Sequence, residues 1–225
     1  EQPGDDYGTF QVIGSQSFYP LAVDYRLNPT PEKKAQLIEL FDHFQNQGFT
    51  AGSSVGSTDH IIRLNFYSTA GFLLRKELEQ AGKLEEKQAT LTWHTRFGKL
   101  AGWDKSQGEN TDLIRGGALP KLSSVLFMTN NAEKGARMSA FMDYINWALQ
   151  DAPGYIDTIK PDHSIFHHRG AYQNSYGIQA LSTISIIAWL TRGTDYELPA
   201  ETLASFRETF LAQFDFAADF ELHPA

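Results

Sequence analysis

The stretch IFHHRGAYQNSYG, residues 165–177, gathers two adjacent histidines, an arginine and two tyrosines directly before the apolar run IQALSTISIIAWL. Three chemistries fit these residue types. The first is a polar loop whose histidine pair caps the following helix. The second is a metal site built from His163, His167 and His168. Adjacent loop histidines point apart, however, and no carboxylate triad lies nearby in the sequence, so no metal is called for. The third is acid–base work by a histidine and a tyrosine. A tyrosine can abstract a weakly acidic carbon proton only when adjacent cations lower its pKa from near 10. His168 and Arg169, with a second arginine from elsewhere, would supply that environment. A proton alpha to a carboxylate becomes removable only if the developing negative charge is neutralised by His, Asn or Arg groups aimed at it.

Three further residues stand in loops. His60 ends the Gly- and Ser-rich segment FTAGSSVGSTDH, where a lone histidine at a helix start reads first as structural. Asn110 in QGENTDL reads as the N-cap of the next helix. Trp103 is either a core plug or a platform on which a sugar ring stacks. Trp93, Trp147 and Trp189 sit at helical spacings and read as core.

The elements that must position these groups are helices. TPEKKAQLIELFDHFQNQG (30–48) is the clearest, with Thr30 as N-cap, Pro31 at the first helical position and Gly48 as its stop. Leu37, Ile38, Phe41 and Phe44 share one face. Further helices are expected at 15–27, with Pro20 marking a kink or a start, and at 61–82, 84–100, 111–128, 131–150, about 175–191 and 199–218. The helix at 111–128 is weakened by Gly116, Gly117 and Pro120. Segment 151–173 reads as a long loop. Only TFQVI at 9–13 hints at a strand. The fold class is therefore all-α. Long loops at 50–60, 101–111 and 153–173 alternate with short ones, as in antiparallel helical hairpins stacked in a ring or arc with the long loops at one end. Function usually resides on the elaborated end.

Composition narrows the partners. The chain has 225 residues, 41% of them apolar and 20% charged, enough for a full core. Its net charge of −8 argues against a nucleic-acid partner, whose binding rests on phosphate neutralisation. An acidic polysaccharide would need a local basic patch. No apolar run is long enough to cross a bilayer. There is no cysteine, so disulfides and thiolate metal sites are excluded. No signal peptide is seen and the first residue is not Met, which fits a mature or partial chain of an exported bacterial protein.

Three stretches together resemble the catalytic helical domain of polysaccharide lyase family eight, and within it the chondroitin sulfate ABC lyases. TPEKKAQLIELFDHFQNQGFTAGSS is similar to the family's helix and following loop, STDH to its loop histidine, and IKPDHSIFHHRGAYQNSYG to its segment joining a Pro-Asp-Gly turn, a histidine and paired tyrosines. The resemblance implies part of an incomplete (α/α) toroid. It treats 1–225 as a single helical domain, with 1–14 an irregular lead-in and β-sandwich domains following downstream. It implies a secreted or periplasmic lyase that cleaves uronic-acid-containing glycosaminoglycans by β-elimination: chondroitin or dermatan sulfate, with hyaluronan as a further candidate. His168 and Tyr176 would match the catalytic pair. His60 and Asn110 would lie at the uronate carboxylate, with Trp103, His167, Arg169 and Tyr172 also binding substrate. No cofactor is required, and a structural or activating divalent cation such as calcium is left open. The sequence departs from the pattern at His163, where the family has Gly. The count from histidine to Tyr176 is one residue off the ABC-type spacing, and by the hyaluronan-lyase spacing His167 takes the catalytic role. The chain ends before the family's arginine in a GRHP-like segment and its glutamate, so low activity is expected of it alone. The competing expectation is a helical module that binds glycan without cleaving it.

Overall fold

A computed structural model describes residues 12–54, 64–101, 108–129, 131–152 and 154–216. They are mainly helical, the all-α architecture expected from the sequence. The suggested strand at 9–13 lies largely outside these residues, and Val12 and Ile13 are helical. The contacts divide the chain into two compact units, residues 1–98 with 119–134, and residues 99–118 with 135–225.

In the first unit, a π-turn Gly14–Phe18 runs into the helix Tyr19–Leu27. Pro20 sits in that helix's first turn and lacks an N–H, so the preceding turn widens rather than closing normally. Pro31–Asn46 follows, capped by Thr30, whose hydroxyl accepts from Lys33 N at 3.3 Å. It ends just before Gly48, which takes φ +94°. The expected helix at 61–82 is broken at Leu74 into Asn65–Leu73 and Arg75–Gln80. The one expected at 84–100 ends at His94, two residues before Arg96 turns to φ 53°, and a 3₁₀ turn Phe97–Ala101 follows. Phe18, Phe41, Phe44 and Tyr67 pack edge-on or tilted as the core, with Phe18 and Phe41 wholly buried. Glycines let helices approach this core closely. A Cβ on Gly14 would stand 2.1 Å from the Phe66 ring, and one on Gly71 2.1 Å from Phe127. Two tryptophans read as core are not. Trp93 is 52% exposed, with its indole N–H donating to Ser53 O, and Trp189 is 73% exposed on the outer face of its helix. Helical spacing puts a side chain on a face but does not say which face is buried.

The second unit contains most of Ala132–Ala148 and the helices Ile178–Thr191 and Ala200–Phe216. The helix Thr111–Leu126 begins in it and runs through Gly116, Gly117 and Pro120 without a break. Segment 151–173 is not simply a loop. It carries a small antiparallel sheet in the order β1 (Thr158–Ile159), β2 (Ile165–His167), β3 (Gly170–Ala171). Phe166 pairs with Thr158 on one side and Ala171 on the other, and His167 pairs with Gly170. Strands of two or three residues are too short to display an alternation of period two, which is why the sequence hides them. The expected gathering of the three long loops on one rim involves segments outside the described residues. Among those residues, no helix is long and apolar enough to cross a membrane.

Candidate active site

The β2–β3 connection gives the two histidines different burial, but their rings do not point apart as expected: the ring centroids lie 3.8 Å from each other. Two residues, His168 and Arg169, link His167 to its partner Gly170, with φ of 52° and 67°. This is the pattern of a type I′ turn, which needs left-handed backbone at both central positions and usually recruits Asn-Gly. With side chains present, each position costs about 1 kcal/mol or more. His168 and Arg169 are exposed at the tip, whereas His167, on the strand, is buried. The β1–β2 turn has the same character. His163 takes φ 62°, its N–H donates to Lys160 O at 2.7 Å, and Asp162 Oδ1 accepts from Ser164 N at 3.0 Å. The residue that stands where the resembled family has Gly therefore occupies a conformation suited to Gly.

His167 has an acid near each ring nitrogen, but only one of them is hydrogen-bonded to it. Nδ1 lies 2.6 Å from Asp157 Oδ2 in a hydrogen bond. Nε2 lies 3.4 Å from Asp112 Oδ2, but not in line for a hydrogen bond, so among the described residues this buried nitrogen has no hydrogen-bond partner. Asp112 comes from the first turn of Thr111–Leu126. Thr111 ties that turn to the sheet by donating to Phe166 O at 2.8 Å.

The tyrosines come from the other side. Tyr172 N donates to Ile165 O at 2.7 Å, extending the sheet, and the chain then enters a π-turn, Gln173–Gly177. Gly177 allows that turn to close, since a Cβ there would stand 2.6 Å from Tyr172 O. Tyr172 and Tyr176, both half-buried, stack at 5.1 Å between ring centroids. Tyr176 meets the His167 ring edge-on at 4.9 Å, against 6.3 Å to His168. The Arg115 guanidinium sits 3.9 Å over the Tyr176 ring, a cation–π contact. Arg115 is held there by Asp112, by Gln179 at 2.6 Å, and by Thr183, which donates to its carbonyl at 3.0 Å.

A half-buried phenol is thus flanked by a guanidinium and an imidazole, with two carboxylates behind them. Such a group can exchange a proton with a ligand and can bind an anion beside it. Tyr144 of the same unit cannot serve in this way. Burial first, then the charge of Glu109, push its hydroxyl well above the usual phenol range.

Of the residues picked from the sequence, His167, His168, Tyr172 and Tyr176 come together, with Arg169 at the turn. Asn110 is exposed and acts as the expected helix cap, its Oδ1 accepting from Asp112 N at 2.9 Å. Among the described residues that cap leaves its Nδ2 without a partner. His60 and Trp103 lie outside the described residues. His163 is drawn away toward Thr209, at 3.5 Å. Among the described residues no three His, Asp or Glu side chains converge as a metal-ligand set. Sequence reasoning missed Asp112, Arg115 and Asp157. For the first two, the i,i+3 acid–base spacing at a helix start was a usable signal. Asp157 sits in no motif.

The chain is 25% identical over 186 residues to a chondroitin sulfate ABC exolyase from Bacteroides thetaiotaomicron, an alignment covering 80% of this chain and 18% of that protein. Among solved structures, a Streptomyces coelicolor chondroitin AC lyase bound to chondroitin sulphate superposes with a TM-score of 0.75 at 14% identity. That match covers 93% of this chain and 29% of the other. A Paenibacillus xanthan lyase superposes with 0.68 at 15% identity, covering 91% and 19%. The chain therefore spans less than a third of the length of each of these relatives, and the two structures share its fold. Residues 24–223 match the family described as "Lyase, catalytic", and the chain belongs to that family.

Proposed function

We propose that this chain is the catalytic helical part of a polysaccharide lyase acting on uronic-acid-containing glycosaminoglycans, chondroitin or dermatan sulfate foremost. The observation that carries the reading is Tyr176, flanked by His167 and by the Arg115 guanidinium. In the reaction, the Tyr176 oxygen takes the proton from carbon 5 of the uronate. The electron pair left behind forms the C4–C5 double bond, and the glycosidic C4–O bond breaks. The leaving oxygen takes a proton, which Tyr176 can return. Arg115 places a positive charge over the Tyr176 ring, beside the reacting oxygen's aromatic system. His167, rather than the exposed His168, stands against the base and serves as its proton-transfer partner. The side-chain amide of Asn110 is suited to the uronate carboxylate, and on the family's pattern His60 and Trp103 also bind substrate. Arg169 adds a positive charge at the turn of a chain of net charge −8, the kind of local charge that an acidic polymer requires. The reaction calls for no cofactor. The substrate class goes with a secreted or periplasmic location, and β-sandwich domains downstream complete the proposed enzyme, with 1–225 as part of its toroid.

The test is ultraviolet detection of unsaturated uronates from chondroitin sulfate, dermatan sulfate and hyaluronan, using the intact protein and its variants. Tyr176→Phe abolishes turnover while leaving substrate binding nearly intact. His167→Ala collapses the rate and His168→Ala is mild. Retention of more than about a tenth of the rate in Tyr176→Phe, well short of the loss expected for a general base, overturns the mechanism. Tight glycan binding with no cleavage by the intact protein would instead identify a binding module.

A further inference from the structure

We infer that Asp157 is a positioning residue for the elimination. It holds the proton of the His167 imidazole on Nδ1 and so keeps Nε2 as the nitrogen available to the reaction. The inference rests on the reading of His167 and Tyr176 as the reacting neighbourhood.

Three observations carry it. First, the contact is short and directional: Asp157 Oδ2 to His167 Nδ1 is 2.6 Å, and the Asp157 side chain is only 15% exposed. A carboxylate accepts but does not donate, so the nitrogen facing it must carry the hydrogen. Second, the backbone that aims Asp157 is strained. Thr158, the next residue, takes φ 78°, which is unfavourable for a β-branched side chain. Strain of this kind persists only where surrounding structure enforces it, and it clusters at functional sites. The enforcement is visible: a Cβ on Gly108 would stand 2.6 Å from the Asp157 carbonyl oxygen and 2.5 Å from Ala152 Cβ. Third, among the described residues Nε2 is left without a hydrogen-bond partner, although it is buried and Asp112 lies 3.4 Å away. A buried polar atom left unpaired costs stability and asks for an explanation. Here the explanation is a nitrogen reserved for a partner that arrives with substrate.

The charged and titratable groups around His167 are Asp157 beside β1, Asp112 and Arg115 from the Thr111–Leu126 helix, His168 at the turn, and Tyr172 and Tyr176 around the π-turn. Among the described residues only Asp157 faces Nδ1 in a hydrogen bond. Loss of the others would leave the tautomer in place, and loss of Asp157 would free it.

The experiment reads the ring directly. Nitrogen-15 NMR of histidine-labelled protein reports which nitrogen of His167 carries hydrogen, with His167→Gln identifying the resonance. The parent is expected to show hydrogen on Nδ1. Asp157→Ala shifts it to Nε2, and Asp157→Asn, whose side-chain oxygen still accepts, retains it on Nδ1 and controls for folding. Hydrogen on Nε2 alone in the parent, or an unchanged spectrum in Asp157→Ala, overturns the inference. In turnover, Asp157→Ala lowers kcat about 10²-fold with KM within a few-fold, and Asp157→Glu recovers part of the loss. A loss confined to KM overturns the positioning role. If Tyr176→Phe turns over normally while the Asp157 variants move the tautomer, the lyase mechanism fails and the assignment of the hydrogen bond survives.

Discussion

The Phe18, Phe41, Phe44 and Tyr67 rings of the first unit and the His167, Tyr172 and Tyr176 rings of the second lie at similar separations, 4.6–6.2 Å and 4.9–5.5 Å. Both clusters contain edge-on pairs. They differ in what surrounds the rings. Tyr67 is fully buried, and burial, followed by the charges of Glu86 and Asp42, pushes its hydroxyl far above the phenol range. Tyr176 is half-buried and has a guanidinium over its face. The first setting suppresses ionisation and contributes apolar burial. The second leaves the hydroxyl reachable and provides charges that respond to it. Aromatic packing is common to both, and only the second adds what proton transfer needs.

The widest gap between the clusters should be in stability. Phe41→Ala in the dry cluster is expected to cost about 3–5 kcal/mol in urea unfolding, the range for a large aromatic removed from a packed core. His168→Ala at the turn tip should fall within about 0.5 kcal/mol of the parent, as for other exposed sites. Next comes the same chemical change in each cluster. Tyr176→Phe is expected to lower turnover by at least about 10²-fold. Tyr67→Phe removes the same hydroxyl from the core and should shift stability by less than about 1 kcal/mol without touching turnover. Equal effects on turnover would erase the distinction.

Two smaller effects sharpen it. Beside the dry core, burial alone would push Asp42 up, but hydrogen bonds from Lys83 and Lys87 outweigh it and hold the carboxyl below its usual value. A carboxylate depressed in the folded state contributes stability above its unfolded pKa, about 4. That stability is lost as pH falls through the lower folded value. Asp42→Asn should therefore lessen the acid-side loss of thermal stability, and an unchanged pH profile would remove Asp42 from the account. The smallest expected effect is a gain. His163→Gly relieves a left-handed residue in the β1–β2 turn and should stabilise by about 0.5–1 kcal/mol, the αL cost less the extra entropy of Gly. A loss in calorimetry would mean that the His163–Thr209 contact outweighs the strain.

The helices were legible because their signals are local. Thr30, Pro31 and Gly48 mark one helix by chemistry confined to its own ends, and Leu37, Phe41 and Phe44 mark its buried face by spacing. The site was legible as a cluster for the same reason, since its histidines and tyrosines fall within a few residues of one another. Which faces are buried was not local, so Trp93 and Trp189 were misread. The sheet was hidden because its strands are stabilised by partners rather than by pattern.

The sequence by itself determined that 165–177 gathers histidines, an arginine and tyrosines and that most of the chain is helical, because residue type and short-range periodicity suffice for both. Only the tertiary structure decided which histidine faces Tyr176. A two-residue left-handed turn sends His167 inward and His168 outward, and a shift of one residue in strand register would reverse them. It also brought in Asp112, Arg115 and Asp157, from 55, 52 and 10 residues away from His167 in sequence, because electrostatic partners are chosen by distance in space and leave no mark on neighbouring sequence.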